Sequence, residues 1–481
     1  MKRLIYCLDG TSNEYDDAHP TNVVMMHKSI IQLSDDGIDQ VPYYHDGVGT
    51  KLGEKISGGA FGAGLLENIM DAYTHLCEHY EAGDEIYIFG FSRGAYTARS
   101  FAGLIGWCGI LDSDKLSEIK NAKEYYKQRL LKEKHHVETF NQWRSDNCSS
   151  ICANNGDYNF RKESFAKNVT IPEIIQIRYI GVWDTVRTLG KSDKDYRWHD
   201  DHLSSHVTYA RHAIALDERR KKFNVTQWDN IDKLNASVGR SEKEDNPYQQ
   251  LWFLGTHGSV GGGGAIRGLS DEAFQWIRRG AKNAGLQFID SGDAEIFALK
   301  PNPLAWLYNS TGEANTFTKK AKSWFFKAVY WVTGLIDRNG PKSLDEIHKA
   351  VIIRYFAEPV DLPEKKKYRP ASLNTIKGAL SKTAPPFDEV AYRALVENSK
   401  KDNLADDEEK IVTISGERFL VHTVKKGESL SVIAKKQTGH GGDWRKIHEA
   451  NKASIQDENL IYIGQRIFIP FDLISNGSND K

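Results

Sequence analysis

The chemistry that this sequence offers centres on Ser92, which lies in the run Gly-Phe-Ser-Arg-Gly at positions 90–94. The apolar residues 86–89 predict a strand before it, and the run 95–99, rich in small residues, predicts a helix after it. A serine at such a sharp turn has an exposed hydroxyl, and the turn needs glycine two residues to either side. The pattern therefore predicts a nucleophile for acyl transfer. In the alternative interpretation, Ser92 only caps the helix.

A serine nucleophile needs a base that takes its proton and a carboxylate that orients the base. Asp184 follows the apolar run 180–183, and His257 follows the run 252–255. Both therefore lie at the carboxyl ends of predicted strands, on the same sheet edge as Ser92, in the chain order of α/β-hydrolases. The alternatives are a helix cap or salt bridge for Asp184 and a hydrogen-bonded loop histidine for His257.

An oxyanion hole requires backbone amides near the nucleophile. We expect one from Arg93, directly after Ser92, and another from the turn Gly10–Thr11 after the first predicted strand. The Arg93 side chain either meets an anionic group or is solvated at the surface.

Two other polar or glycine-rich patterns do not predict a cofactor or metal. The four glycines at 261–264 are not followed by the Gly-Lys-Ser/Thr of a phosphate loop, so they indicate a flexible active-site turn. The residues at 199–202, His-Asp-Asp-His, have ligand-type side chains, but adjacent residues rarely converge on one ion. A polar loop is the favoured interpretation there.

Composition limits the classes of function. The chain of 481 residues is long enough for two or more domains, and 64 basic residues balance 65 acidic ones. That balance argues against nucleic acid as the main partner. The five cysteines are odd in number and scattered, which indicates a reducing compartment rather than a disulfide framework.

The N-terminal residues 1–10 resemble a first strand more than a signal peptide, because their apolar run is short. We therefore expect synthesis in the cytoplasm without a signal peptide. The sequence has no run of about twenty apolar residues that would span a membrane. The aromatic stretch 324–336 suits either a lipid interface or a buried helix, and buried packing is the commoner case.

Strand and helix patterns alternate along the first part of the chain, which predicts an α/β fold with a mostly parallel sheet. Helices are expected near 22–33 and 65–80, and a helical insertion at about 111–170. The expected strands are 4–8, 41–45, 85–89, 175–182 and 251–254.

The domain organisation follows from composition. Residues 1–397 are assigned to the large α/β domain, and the charge-rich stretch 398–418 to a solvated linker. A small module at 419–470 has the pattern strand, helix, helix, strand, and 471–481 form a tail.

Several motifs together make the large domain resemble a bacterial α/β-hydrolase family, catalogued as domain of unknown function 2235, that includes type VI secretion phospholipase effectors. The resemblance implies an ester hydrolase with Ser92, Asp184 and His257 as its triad. One departure is Ser259: the family usually has His-Ser-Asp where this chain has His-Gly-Ser at 257–259, and if that aspartate supports the histidine, we expect altered activity or specificity. The motifs are Leu-Asp-Gly-Thr-Ser-Asn at 8–13, Thr-Asn-Val at 21–23, Tyr-His-Asp-Gly-Val-Gly-Thr at 44–50, the serine run extended to 99, Gly-Val-Trp-Asp-Thr-Val at 181–186, Ala-Leu-Asp-Glu-Arg-Arg at 215–220 and Leu-Ser-Asp at 269–271.

The small module resembles a LysM domain. The resemblance rests on His-Thr-Val-Lys-Lys-Gly-Glu-Ser-Leu at 422–430, Trp444, Asn451 and Leu-Ile-Tyr-Ile-Gly-Gln at 460–465. It implies binding of N-acetylglucosamine glycans such as peptidoglycan, although no glycan-contacting residue within 419–470 can be assigned. The alternative is a structural LysM that docks to a delivery protein.

The leading functional hypothesis is a phospholipase that acts on membrane lipids while LysM holds it near the cell wall. The resemblance implies export by a type VI-like system, with a secretion-machine component and an immunity protein as partners; permanent residence in the cytoplasm is the alternative. One competing hypothesis is an esterase on small or glycan-linked esters. Another is a non-catalytic cell-wall-binding scaffold.

Overall fold

A computed structural model gives the structure of the protein. It describes residues 1–10, 15, 19–47, 60–130, 137–166, 169–187, 202–238, 246–264, 266–289, 299–307, 336–385, 389–405, 410–414, 417–424, 428–452, 455, 461 and 466–475.

The large domain is built on a six-stranded sheet whose neighbouring strands are all parallel, in the order β2-β1-β3-β4-β5-β6. This confirms the predicted α/β class. The strands are β1 (Arg3–Leu8), β2 (Gln40–His45), β3 (Glu85–Phe91), β4 (Ile177–Trp183), β5 (Val207–Ala215) and β6 (Tyr248–Phe253).

Strand β5 was not among the predicted strands. It carries Arg211 and His212 at its centre, so its sequence lacks the continuous apolar run that marks a buried parallel strand. Both side chains are satisfied inside the fold: Arg211 donates to the carbonyl of Trp276 at 2.5 Å, and His212 Nδ1 lies 2.9 Å from Gln250 Oε1.

Helices cover both faces of the sheet. They are α1 (Asn22–Lys28), α2 (Ala60–His79), α3 (Arg93–Cys108), α4 (Ile119–Leu130), α5 (Val137–Asn147), α6 (Asn155–Ser164), α7 (Ile231–Ser237), α8 (His257–Gly261), α9 (Gly268–Asn283), α10 (Lys349–Phe356), α11 (Lys377–Leu380) and α12 (Glu389–Ala405). Helix α1 ends before the predicted residue 33, because Ile30 leaves the helix to pair with Phe288 in an isolated β-bridge.

Each face of the sheet has its own apolar core. Residues of α2 and α3, such as Tyr73 and Leu104, pack on one face, and residues of α1 and α9, such as Met25 and Ile277, pack on the other. The helical insertion supplies α4, α5 and α6; Tyr126 of α4 donates to the carbonyl of Ser100 in α3 at 2.9 Å. The sheet is therefore buried on both faces, and its carboxyl-terminal edge is left for a site.

The C-terminal module is a three-stranded antiparallel sheet of β7 (Lys410–Ile414), β8 (Glu417–Thr423) and β9 (Arg466–Pro470). Between β8 and β9 lie α13 (Leu430–Thr438) and α14 (Trp444–Ala450), and α15 (Phe471–Ser475) follows. The order from β8 to β9 confirms the predicted strand-helix-helix-strand module. Its separate apolar core contains Leu430, Ile433, Ile447 and Ile467.

The stretch 398–418, expected to be a linker, contains the end of α12 and all of β7. Helix α12 is anchored upstream by buried Tyr392 and Val396, which lets the helix extend into charged sequence. Strand β7 is held by pairing with β8. The first ordered strand of the module thus precedes residue 419.

Among the described residues, no helix combines the length and apolarity needed to cross a membrane. Of the aromatic stretch 324–336, only Ile336 is described. The choice between a lipid interface and a buried helix for that stretch therefore stays a prediction.

Helix α3 approaches the end of β1 so closely that glycine is required at Gly94. A Cβ atom there would lie 2.1 Å from the carbonyl oxygen of Leu8 and 2.4 Å from that of Asp9. At Gly90, a Cβ atom would lie 2.5 Å from the carbonyl oxygen of Gly94. Since the opposing atoms belong to the backbone, they cannot rotate away.

We expect Gly94→Ala to lower the free energy of unfolding by roughly 1–3 kcal/mol or more, because the added methyl group forces α3 away from β1. Thermal unfolding followed by circular dichroism measures the effect. Gly378→Ala is the matched control, since a Cβ atom on Gly378 in α11 meets nothing within 4 Å. A Gly94→Ala protein that melts with the wild type would contradict this account of the turn.

Candidate active site

Ser92 lies at the turn between β3 and α3 in a strained backbone conformation, with φ 59° and ψ −118°. Positive φ is unfavourable for a residue with a Cβ atom and is found mainly where the surrounding structure enforces it. The Ser92 amide donates to the carbonyl of Trp183 at 3.0 Å. Its side chain makes no capping hydrogen bond to α3, so the structure does not support the helix-cap alternative.

Asp184 and His257 meet at the same sheet edge. Asp184 directly follows β4, has φ 40° and is fully buried. Its Oδ2 lies 2.6 Å from Nδ1 of His257, at the start of α8. A neutral imidazole that donates from Nδ1 has Nε2 free to accept a proton, and Ser92 and His257 line one cavity.

The ring of His257 is held between two aromatic side chains. The ring of Phe91 lies 4.6 Å from it between centroids, and the ring of Phe223 contacts it edge-on at 4.8 Å. Gly261 leaves room for Phe91, since a Cβ atom at that position would lie 1.9 Å from the Phe91 ring. These two contacts restrict the orientation of the imidazole.

Arg338 is a further buried residue of the site that the sequence did not reveal. Its guanidinium donates to both carboxylate oxygens of Asp184, at 2.5 Å to Oδ1 and 3.0 Å to Oδ2. The two residues are 154 positions apart, and no motif surrounds Arg338 that would mark it. Asp184 Oδ1 also accepts from the amide of Ala215 at 2.9 Å.

These contacts set the protonation states of the pair. Burial alone raises the pKa of Asp184, but the positive charge of Arg338 and the hydrogen bond from His257 outweigh it and hold that pKa well below its ordinary range. Burial lowers the pKa of His257, and the charge of Arg338 lowers it further, against the opposing effect of Asp184. At neutral pH the pair is therefore a carboxylate and a neutral imidazole, which is the state a general base requires.

Glu218 supports His257 from the backbone side. Its Oε2 accepts from the His257 amide at 3.2 Å, and Arg220 donates to both of its carboxylate oxygens. Burial raises the pKa of Glu218, but Arg220 outweighs that effect and keeps the side chain ionised. Glu218 falls within the motif at 215–220 that marked the family resemblance, so the sequence signal existed without indicating the contact.

The cavity in front of Ser92 has a volume of about 360 Å³. Its lining combines cationic, aromatic and glycine residues: Gly10, Phe91, Ser92, Arg93, Arg220, Phe223, His257, Gly258, Ser259, Gly262, Gly263, Gly264 and Ile266. The predicted active-site turn therefore does border the cavity, through Gly262, Gly263 and Gly264. Arg93 is half-buried there, and burial lowers its pKa to about 10.

The predicted oxyanion donors are partly located. Arg93 begins α3, where backbone amides of the first turn lack partners within the helix. The Gly10 amide donates to Asp9 Oδ1 at 2.6 Å, while Asp9 Oδ2 accepts from the hydroxyls of Thr21 and Tyr44. Thr11 lies outside the described residues. The oxyanion assignment stays a prediction.

Ser259 does not take the place of a carboxylate beside the His257 ring. Its hydroxyl lies 3.3 Å from that of Thr256. The His257 ring is hydrogen-bonded to Asp184 instead, and the His257 amide donates to Glu218. The departure at Ser259 therefore leaves His257 with two acidic partners.

The polar run 199–202 is described only at His202, whose Nδ1 lies 2.9 Å from Asp229 Oδ1 with both side chains more than half exposed. In the part of the chain that the structure describes, no group of three or more His, Cys, Asp or Glu side chains could hold a metal ion.

Comparison with protein families shows the family to which the chain belongs. Residues 2–280, more than half of its length, match the catalytic domain of T6SS Tle1-like phospholipase effectors. The chain belongs to the T6SS Tle1-like phospholipase effector family. Residues 422–470 match the LysM domain. The resemblances to type VI secretion phospholipase effectors and to LysM are thus confirmed.

One curated relative of this Tle1-like chain is the uncharacterized protein YEL023C of Saccharomyces cerevisiae, 28% identical over 238 residues. The match covers 46% of this chain and 32% of the relative, so it spans about a third of that protein's length.

Solved structures give weak similarities. The Tle1 effector bound to the VgrG spike of the type 6 secretion system is 15% identical over 54% of this chain and 51% of its own, with a TM-score of 0.27. An uncharacterized protein from Pseudomonas aeruginosa is 13% identical over 98% of this chain and 76% of its own, with a TM-score of 0.33. Zea mays acyl-protein thioesterase 2 is 11% identical over 58% of this chain and 93% of its own, with a TM-score of 0.22.

We expect the pKa of His257 in the folded protein to lie below the ordinary histidine value of about 6.5, because burial and Arg338 disfavour the charged ring. Asp184→Asn should lower it further, since the aspartate charge favours the imidazolium. Nitrogen-15 NMR of histidine-labelled protein measures both values, and His257→Gln identifies the resonance. A wild-type value above 6.5 would contradict the electrostatic account.

Proposed function

We propose that this Tle1-like chain is a serine-dependent phospholipase with Ser92, Asp184 and His257 as its catalytic triad. The observation that carries the proposal is the strained Ser92 in one cavity with His257, whose Nδ1 is bonded to buried Asp184. These are the nucleophile, base and orienting acid that acyl transfer needs.

In the proposed reaction, His257 Nε2 takes the proton of Ser92 as the serine oxygen attacks the ester carbonyl. The ester bond breaks, the protonated His257 gives its proton to the departing alcohol, and the acyl group stays on Ser92. A water molecule, deprotonated by His257, then attacks the acyl-enzyme. The fatty acid leaves, and Ser92 regains its proton from His257.

The lining of the cavity supports an amphiphilic substrate. Phe91, Phe223 and Ile266 offer apolar contact for an acyl chain, and Arg93 offers positive charge close to Ser92. An ester beside a phosphate group satisfies both kinds of contact. Arg220 also lines the cavity, where it is paired with Glu218.

The LysM module is proposed to bind peptidoglycan or related N-acetylglucosamine glycans. Its match to the LysM model and its own core support this role. The described part of the module does not identify a glycan contact, so the binding residues are left unassigned.

Delivery by a type VI secretion system is proposed from the family and from the solved Tle1 effector, which is bound to a VgrG spike. A spike component and an immunity protein are the partners that this route implies. Binding of the full chain to a VgrG protein encoded beside it would support the route.

We expect Ser92→Ala to reduce fatty acid release from phosphatidylethanolamine and phosphatidylglycerol vesicles by at least about 10³-fold, because the nucleophile is lost. Mass spectrometry of the released fatty acids and lysolipids measures the rate and identifies the ester that is cleaved. Ser259→Ala is the matched control, since Ser259 lines the same cavity and its hydroxyl lies 3.3 Å from that of Thr256, away from the Asp184–His257 pair. Its rate should stay within about tenfold of the wild type.

Equal release by the wild type and Ser92→Ala would contradict the serine mechanism. If neither releases fatty acid, acetylated glycans become the test substrate, because the LysM module favours a glycan-linked ester as the second candidate. If Ser92-dependent turnover is absent on both substrates, the hypothesis that remains is a non-catalytic cell-wall-binding scaffold.

We expect the full chain to sediment with insoluble peptidoglycan and to be released by soluble chitin oligomers. A chain that ends at Ala405, and so lacks the LysM sheet, should stay in the supernatant. Equal sedimentation of the two chains would show that the wall contact lies elsewhere.

A further inference from the structure

Arg338 connects three separate parts of the active site. Its side chain is 4% exposed and donates to both oxygens of Asp184, which are fully buried. The same guanidinium donates to the carbonyl of Ala215 at 2.7 Å and to that of Phe223 at 2.5 Å. One side chain therefore joins the ends of β4 and β5 to the cavity wall.

Two of these contacts, those to Asp184 and Phe223, bear on His257. Asp184 is bonded to the His257 ring, and the side chain of Phe223 contacts the ring edge-on. Displacement of Arg338 would therefore affect both the carboxylate that orients the imidazole and the aromatic wall beside it.

The segment that carries Arg338 is docked on the loop that also supports His257. The Ile336 amide donates to the carbonyl of Arg219 at 2.7 Å, and Asp337 forms an ion pair with Arg219 at 2.8 Å. Arg219 directly follows Glu218, whose carboxylate accepts from the His257 amide. The segment 336–338 thus contacts the site both at Arg219, beside Glu218, and at Asp184.

We propose that Arg338 is a positioning residue of the active site, which fixes Asp184 for His257 and holds the backbone of Phe223 beside it. The inference rests on the proposed triad. Arg338 does not line the cavity, so it acts through Asp184 and Phe223 and not on the substrate.

The charges around His257 predict how Arg338 affects its titration. Asp184 and Glu218 favour the charged imidazole, and Arg338 opposes it. Arg220 is paired with Glu218, and Arg93 lies in the cavity lining. Loss of the Arg338 charge removes an opposing cation, so the pKa of His257 rises and the imidazole is protonated at higher pH.

The test compares Arg338→Met with Arg338→Lys in the full chain. In Arg338→Met, the acid limb of kcat/KM should move to higher pH by about one unit. Its kcat should also fall, by about 10²-fold at the pH optimum, because the Asp184 carboxylate and the Phe223 backbone lose their hydrogen bonds to Arg338. Arg338→Lys keeps the charge but not the bidentate hydrogen bond to Asp184. The acid limb of its kcat/KM profile should therefore stay near that of the wild type, while kcat is only partly restored.

Arg354→Met is the matched control for loss of a buried arginine. Arg354 is fully buried, bonds to the carbonyls of Pro303 and Ala305 and pairs with Glu364, away from the cavity. The Arg354→Met substitution should lower the melting temperature without moving the acid limb of the kcat/KM pH profile. An unmoved limb in Arg338→Met, or an equal movement in Arg354→Met, would overturn the proposal.

Nitrogen-15 NMR titration of His257 separates this proposal from the proposed function, because it needs no turnover. If the wild type shows no Ser92-dependent hydrolysis, the proposed function fails, and the titration still decides the coupling on which the Arg338 proposal depends. A higher His257 pKa in Arg338→Met than in Arg338→Lys supports that coupling, and equal values overturn it.

Discussion

The buried carboxylate of Asp184 is the interaction on which the rest of the site depends. An ionised carboxylate removed from water costs several kcal/mol unless hydrogen bonds and opposite charge compensate it. Asp184 obtains that compensation from the Ala215 amide, the His257 ring and the Arg338 guanidinium. These partners come from β5, from the residues after β6 and from the C-terminal half of the chain. Stabilising one charge therefore requires all three to be in place.

The parallel sheet makes this convergence possible. Phe91 and Trp183 are paired in register at the ends of β3 and β4, and Ser92 and Asp184 directly follow them. Both residues have positive φ, and both amides are still held by neighbouring strands, Ser92 to Trp183 and Asp184 to the carbonyl of Ala213. The sheet edge thus holds two strained residues side by side, which loops alone would not do.

The catalytic domain and the LysM module have separate apolar cores. Separate cores allow the two modules to keep different binding tasks within one chain, the one near lipid and the other near glycan in the function we propose. The charge-rich stretch before the module includes the end of α12 and strand β7. The composition of that stretch predicted a solvated linker and did not reveal the pairing of β7 with β8.

What the sequence by itself determined is local: the glycines around Ser92 require a sharp strand-to-helix turn, and the apolar runs before Asp184 and His257 mark strands that end shortly before those residues. Chain order and the shared edge of parallel strands then bring the three together as candidates. Strand β5 was missed because Arg211 and His212 break its apolar run, although partners inside the fold satisfy both. Only the tertiary structure decided the place of Arg338, since a buried ion pair between residues 154 positions apart leaves no periodicity or motif in the sequence. The charge of Asp184 needs a cation, but the chain offers 64 lysines and arginines, and packing alone selects which of them reaches it.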